Sequence, residues 1–305
     1  YNNTDIPKGT VNVENASGIV FSGNVFTTLS SSSCISYMND VVDSEISGNV
    51  FMETSGNSAT IGHPQHVHIH DGVEDIDPMV EDNKYPVGKE GICKNIIVTN
   101  NHIENICKMY KQADSLTAFF VENVEFSHNR ITNVPYAGIN FGWGWQNQDD
   151  RTNYKGTNWP EYPSKTARKN VIVYNDIDRA NQILTGDGGA LYTLGQQEDS
   201  ILAYNNVHGV RSVYTDEGTA YFEIFYNDID YDNDNQAYNL LWYGNDSYNA
   251  GHSFIRWRDS NNNYGTSGVS AINESNLAAP EDIASGAGIE AAWLPEIKRL
   301  KKLVA

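Results

Sequence analysis

Seven short segments of the form Asn-x-apolar recur along the chain: Asn24-Val25-Phe26, Asn49-Val50-Phe51, Asn101-His102-Ile103, Asn129-Arg130-Ile131, Asn175-Asp176-Ile177, Asn205-Asn206-Val207 and Asn227-Asp228-Ile229. Each follows a short alternating segment with strand character, such as Ile96-Ile97-Val98 or Val171-Ile172-Val173. Successive asparagines are 25, 52, 28, 46, 30 and 22 residues apart. Taking one insertion (about residues 62–92) out of the 52 and another (about 144–168) out of the 46 leaves about 21 in each case. A period of this length with one Asn per repeat is the mark of a solenoid, and the Leu framework of leucine-rich repeats is absent. Three short strands per coil fit, with the Asn side chains stacking from coil to coil at a tight turn and the apolar residue two positions later pointing inward.

The expected fold class is therefore all-β: a right-handed parallel β-helix solenoid with long loops on one face and a short C-terminal capping helix. A β-sandwich is the competing arrangement of many similar strands. Irregular insertions between otherwise equal repeats favour the solenoid, where they become loops. Residues 1–276 are expected to form the β-helix and 277–305 a C-terminal capping segment. In that segment Ile289, Trp293, Leu294, Ile297 and Leu300 recur at helical spacing, and Lys298, Arg299, Lys301 and Lys302 come late, where they complement the helix dipole. The chain starts at Tyr1 without a signal-peptide pattern, so a processed or trimmed product is expected. The first coil has no comparable cover, and a separate N-terminal chain or subunit is expected to shield residues 1–20.

The 305 residues carry a net charge of −19, which argues against nucleic acid and anionic membranes as partners. No apolar run is long enough to span a membrane. Three cysteines, Cys34, Cys93 and Cys107, read as buried free thiols, with a Cys93–Cys107 pair as the alternative.

Candidate chemistry concentrates in three segments. They are Pro135-Tyr136-Ala137-Gly138-Ile139-Asn140-Phe141-Gly142-Trp143-Gly144-Trp145, Asp187-Gly188-Gly189-Ala190-Leu191-Tyr192-Thr193-Leu194-Gly195 and Val213-Tyr214-Thr215-Asp216-Glu217-Gly218. Aligning Ile139, Leu191 and Val213 as core residues stacks Asn140, Tyr192 and Tyr214 on the outside. Gly142, Leu194 and Asp216 then share a rung, as do Trp143, Gly195 and Glu217. Counting from the Asn ladder instead puts Asp187 and Asp216 almost level; the Tyr-Thr alignment is preferred, since loops absorb length differences and strands do not. Cleaving a glycosidic bond needs one protonated carboxyl and a second carboxylate that attacks or activates water. Asp187 and Asp216 are the principal candidates, with Glu217 as the alternative acid. Trp143, Trp145, Tyr192, Tyr214 and Trp242 are candidate surfaces for sugar rings.

His66, His68 and His70 alternate, so a strand would show all three on one face, although ligands so spaced converge poorly on a metal. His66 and His68 are expected to line a cleft, and no metal ligand is assigned. The acidic stretches at Glu74–Asp82 and Asp230–Asp234 resemble calcium loops in composition only. Calcium enters as a candidate structural ion, and no cofactor is required for the chemistry.

The three quoted segments resemble bacterial right-handed β-helix glycoside hydrolases, with patterns similar to glycoside hydrolase families 141 and 136. Ala284-Ser285-Gly286-Ala287-Gly288-Ile289-Glu290 is similar to their common ending, and the likeness runs from about residue 15 to 292. The resemblance implies a secreted or cell-surface enzyme acting on a complex oligo- or polysaccharide through acids on the helix face. Family 136 also implies a separate helical N-terminal part and two aspartates seven residues apart. Seven residues after Asp216 and Asp187 stand Glu223 and Leu194. The expected function is glycoside hydrolysis; a polysaccharide lyase of the same fold and a non-catalytic carbohydrate-binding or adhesion solenoid are the alternatives.

Overall fold

The computed structural model describes residues 8–62, 92–142, 165–181, 187–194, 196–209, 213–216, 219–229, 237–238, 241–243, 246–247, 270–271 and 283–304. The strands form three parallel sheets in which each strand pairs with its counterpart one coil away. This is the right-handed parallel β-helix that the repeat predicts. The first sheet runs through Val11–Val13, Ser33–Tyr37, Asn57–Ile61, Leu116–Ala118, Ile139–Phe141, Leu191–Thr193 and Val213–Thr215. The solenoid continues past the last Asn repeat: Ser270–Ala271 still pairs with Leu241 and Trp242 in the second sheet. The second insertion is shorter than expected, because Lys165–Arg168 is already a strand, with Arg168 opposite Glu122.

The asparagines stack at the corner between the second and third sheets. The Oδ1 of Asn49, Asn101, Asn129, Asn175, Asn205 and Asn227 each accepts the backbone N–H of the ladder Asn one coil earlier, at 2.9–3.1 Å. Their Nδ2 groups reach back to strand carbonyls, as from Asn129 to Val98 and from Asn175 to Phe126. All six are 0% exposed, so the amides must be satisfied by one another. The residue before each ladder Asn is left-handed, from Gly23 and Gly48 to Asn100, His128, Tyr174, Tyr204 and Tyr226. That conformation costs a non-glycine residue about 1–2 kcal/mol, and the ladder hydrogen bonds offset it. Inside, Phe51, Ile103, Ile131, Ile177 and Val207 follow their asparagines by two residues and are fully buried, as the pattern requires. Cys34, Cys93 and Cys107 are all free and buried, which answers the disulfide alternative.

The expected C-terminal helix is present at Leu294–Lys301. It lies against the side of the solenoid, with Ile297 and Leu300 on Val50, Val25 and Met52 of the third sheet. The segment leading to it retraces the asparagine corner towards the first coils. Gly288 N–H donates to the Tyr174 carbonyl, and His128 Nδ1 lies 3.1 Å from the Gly288 oxygen. Glu290 and Asn100 exchange two hydrogen bonds of 2.8 Å. Trp293 then covers Gly48, where a Cβ would collide with the indole. Lys301 closes the run on Glu104 and His102.

In chain order Asn57–Ile61 and Ile139–Phe141 of the first sheet precede Lys94–Thr99 and Lys165–Arg168 of the second, so both insertions fall between the same pair of sheets.

Candidate active site

The outer face of the first sheet carries one continuous row. Thr60, Thr117, Asn140, Tyr192 and Tyr214 are successive register partners, between core rows that include Leu116, Ile139, Leu191 and Val213. The Tyr-Thr alignment of the sequence is thus the register of the strands. Asp216 follows on the same coil as Tyr214, its N–H donating to the Thr193 carbonyl. Asp187 sits at the other end of the strand crossing, in the turn before Leu191–Thr193.

Two tyrosines link the acids. Tyr192 donates its phenolic hydrogen to Asp216 Oδ2 at 2.5 Å, and Tyr136 donates to Asp187 Oδ2 at 3.4 Å. The two rings meet edge to face with centroids 6.3 Å apart, while Tyr192 stacks on Tyr214 at 5.4 Å. Asp187 is exposed and caps its own turn by accepting Gly188 N–H at 2.8 Å. Asp216 is 6% exposed. Gly188, left-handed at φ 77°, leaves the room that the Tyr136 ring occupies, since a Cβ there would collide with it.

Burial, the Asp216 and Asp187 charges and the Asp216 hydrogen bond all push the Tyr192 hydroxyl far above its usual value. Tyr136 is raised in the same way, first by burial and then by Asp187, Asp114 and Asp216. Both phenols therefore stay protonated donors.

Tyr136 and Asp114 are additions that sequence reasoning did not single out for the site. Asp114 lies in the turn before Leu116–Ala118, where its Oδ2 accepts Asn140 Nδ2 at 2.9 Å and the Thr117 hydroxyl at 3.4 Å. Burial raises its carboxyl to about 7, against the lowering effect of those two hydrogen bonds. The available signal was positional: Asp114-Ser115-Leu116-Thr117 aligns with Ala137-Gly138-Ile139-Asn140 once the row is known.

Among the other expected residues, Glu217, Trp143, Trp145, His66 and His68 lie outside the described residues, as do both acidic stretches. Trp242 belongs to the second sheet, in register with buried Ile224, and its strand is not brought to the first-sheet row. Tyr192 and Tyr214 are in the row but only 5% and 7% exposed, so their rings are committed to each other and to Leu194 and Ala137.

No protein-family model matches the chain, and no curated protein matches it. Solved structures do share the fold. One is a protein described as "Glycoside hydrolase", with a TM-score of 0.62 and 19% identity over 95% of this chain. The chain spans 41% of that structure. PfbA, a surface adhesin of Streptococcus pneumoniae, is similar at TM-score 0.43 and 11% identity, over 78% of this chain and 54% of its own. A PL6 family alginate lyase, AlyGC, is similar at TM-score 0.42 and 9% identity, over 80% of this chain and 33% of its own. At 19% identity the likeness to the glycoside hydrolase is one of fold.

Proposed function

We propose that the chain is a glycoside hydrolase acting on a complex oligo- or polysaccharide, with Asp187 and Asp216 as its carboxylate pair. The observation that carries this reading is the Tyr136–Asp187 and Tyr192–Asp216 arrangement. Two acids from neighbouring coils are each held by a phenol, and the two phenols touch. Asp216, dry and accepting a short hydrogen bond, suits the carboxylate that attacks or activates water. Asp187, on the neighbouring coil, takes the other role, protonation of the leaving oxygen. Lyase chemistry on a uronate needs positive charge at the substrate carboxylate; among the described residues, acids and phenols gather here instead.

The same reading gives Glu217 the role of alternative acid. Trp143, Trp145, His66 and His68 become walls of the sugar site, calcium a structural ion, and the cell surface or exterior the place of action. A separate N-terminal chain covering the first coil belongs to it as well.

A panel of glycans incubated with the protein and with Asp187→Asn and Asp216→Asn variants tests the proposal. New reducing ends that disappear in both variants support it. Unsaturated, ultraviolet-absorbing products would mean a lyase, and binding without turnover an adhesion module. Undiminished cleavage by both variants would remove these two acids from the chemistry.

A further inference from the structure

Asn140 lies in the outer row of the first sheet, between Thr117 and Tyr192. It is 6% exposed, and its Oδ1 is buried without a hydrogen-bond donor among the described residues. A buried amide oxygen in that state is costly unless a proton reaches it. Its neighbour Asp114 is 8% exposed and already accepts the Asn140 amide on Oδ2. Thr117, which also donates to that oxygen, receives Asn57 Nδ2 at 2.9 Å, so donors run towards Asp114 from two coils. An ionised Asp114 has no proton to return to Asn140, whereas a carboxylic acid has one.

We propose that Asp114 is a positioning residue that works as a neutral acid, donating its proton to Asn140 Oδ1 while Asn140 Nδ2 donates to Asp114 Oδ2. The reciprocal pair fixes the Asn140 amide in the outer row beside Tyr192. Burial favours the neutral form and holds the carboxyl up to about 7. Among the described residues, the titratable groups that face it are Cys107 on its own turn, with Lys111 acting on that thiol, and Tyr136 on the next coil. Tyr136 in turn faces Asp187 and Asp216. While Asp114 keeps its proton, the negative charge that the described residues place around Tyr136 comes from Asp187 and Asp216. Once it ionises, a third negative charge joins them and Asn140 loses its donor.

The linkage has a definite sign. A carboxyl raised in the folded state stabilises below its unfolded value, and that contribution is lost as pH rises through the folded one. Wild type and Asp114→Asn are therefore compared by melting temperature from about pH 4 to 9. The advantage of the variant over wild type should grow between about pH 4 and 7 and then level off. In ¹³C NMR of aspartate-labelled wild type, one carboxyl should titrate near neutrality and vanish in the variant. A melting difference independent of pH, or no aspartate titrating near neutrality, would overturn the proposal. Should Asp114→Asn not fold, Asn140→Ala serves, because the same titration must move; an unmoved titration overturns the pair equally.

The catalytic consequence, an alkaline limb that shifts upward in Asp114→Asn, rests on the hydrolase reading. The melting and NMR arms need no turnover. A protein that cleaves no glycan yet shows the titration rejects the hydrolase reading alone.

Discussion

The Tyr192 hydroxyl lies 2.5 Å from Oδ2 of Asp216, joining residues 24 apart in sequence across one coil boundary. The contact exists because Tyr192 and Tyr214 are register partners, so the acid two residues after Tyr214 falls beside the earlier ring. Tyr192→Phe keeps the ring and removes the donor from a buried carboxylate. The expected cost is about 1–3 kcal/mol of stability together with a loss of glycan turnover of at least about tenfold. Thermal unfolding and reducing-end release measure both; if neither changes, the hydrogen bond is idle.

The asparagine ladder predicts a contrast between its end and its middle. Asn129 is fully buried and bonds to coils on both sides, so Asn129→Ala should cost about 3 kcal/mol or more. Asn24, exposed on the first coil, should cost under about 1 kcal/mol when replaced by Ala. Denaturant titration of the two variants checks it. Equal costs would show that stacking, rather than buried satisfaction, sets the energy.

Gly48→Ala meets two obstacles: a left-handed φ of 62° and the Trp293 ring. Backbone strain and overpacking together should cost about 2–5 kcal/mol. In a Trp293→Ala background only the backbone part should remain, about 1 kcal/mol. A double-mutant cycle reads the difference, and additive costs would show that the indole does not lie on Gly48 in solution.

Burial raises the Cys34 thiol to about 12 and the Cys93 thiol to about 11, and pushes Cys107 well up. These raised values favour the protonated thiols, a contribution that is whole below the ordinary thiol value of 9.0 and, for Cys93, is lost as pH rises from there through about 11. The folded protein should therefore resist thiol reagents at mildly alkaline pH, while the unfolded chain should react at all three cysteines. Rapid modification of the native protein would contradict the buried placement.

Asn24 through Asn227 revealed the coil because each repeat meets the same local demand, a bend followed by an inward apolar side chain. The Tyr192–Tyr214 register was legible for a related reason: strands tolerate no slippage once one face is buried. Asp114 was not legible, because its partner Asn140 stands 26 residues away and its turn repeats no motif. Tyr136 was visible as part of a strand-like segment, yet its tie to Asp187 depends on the space above Gly188, which only the stacked coils create.

The return path of the C-terminal segment sets an order of assembly. Most contacts in the solenoid join neighbouring coils, so stacking can proceed as the chain emerges. The contacts of Glu290 with Asn100 and of Lys301 with His102 span 190 and 199 residues. Such long closures are slow compared with local pairing. In pulse-labelled hydrogen exchange, the amides of residues 47–52 should gain full protection after those of the central coils. The coils that carry Gly48 and Asn100 are thus completed last, and a ribosome that stops short of Trp293 releases a solenoid in which they are still unfinished.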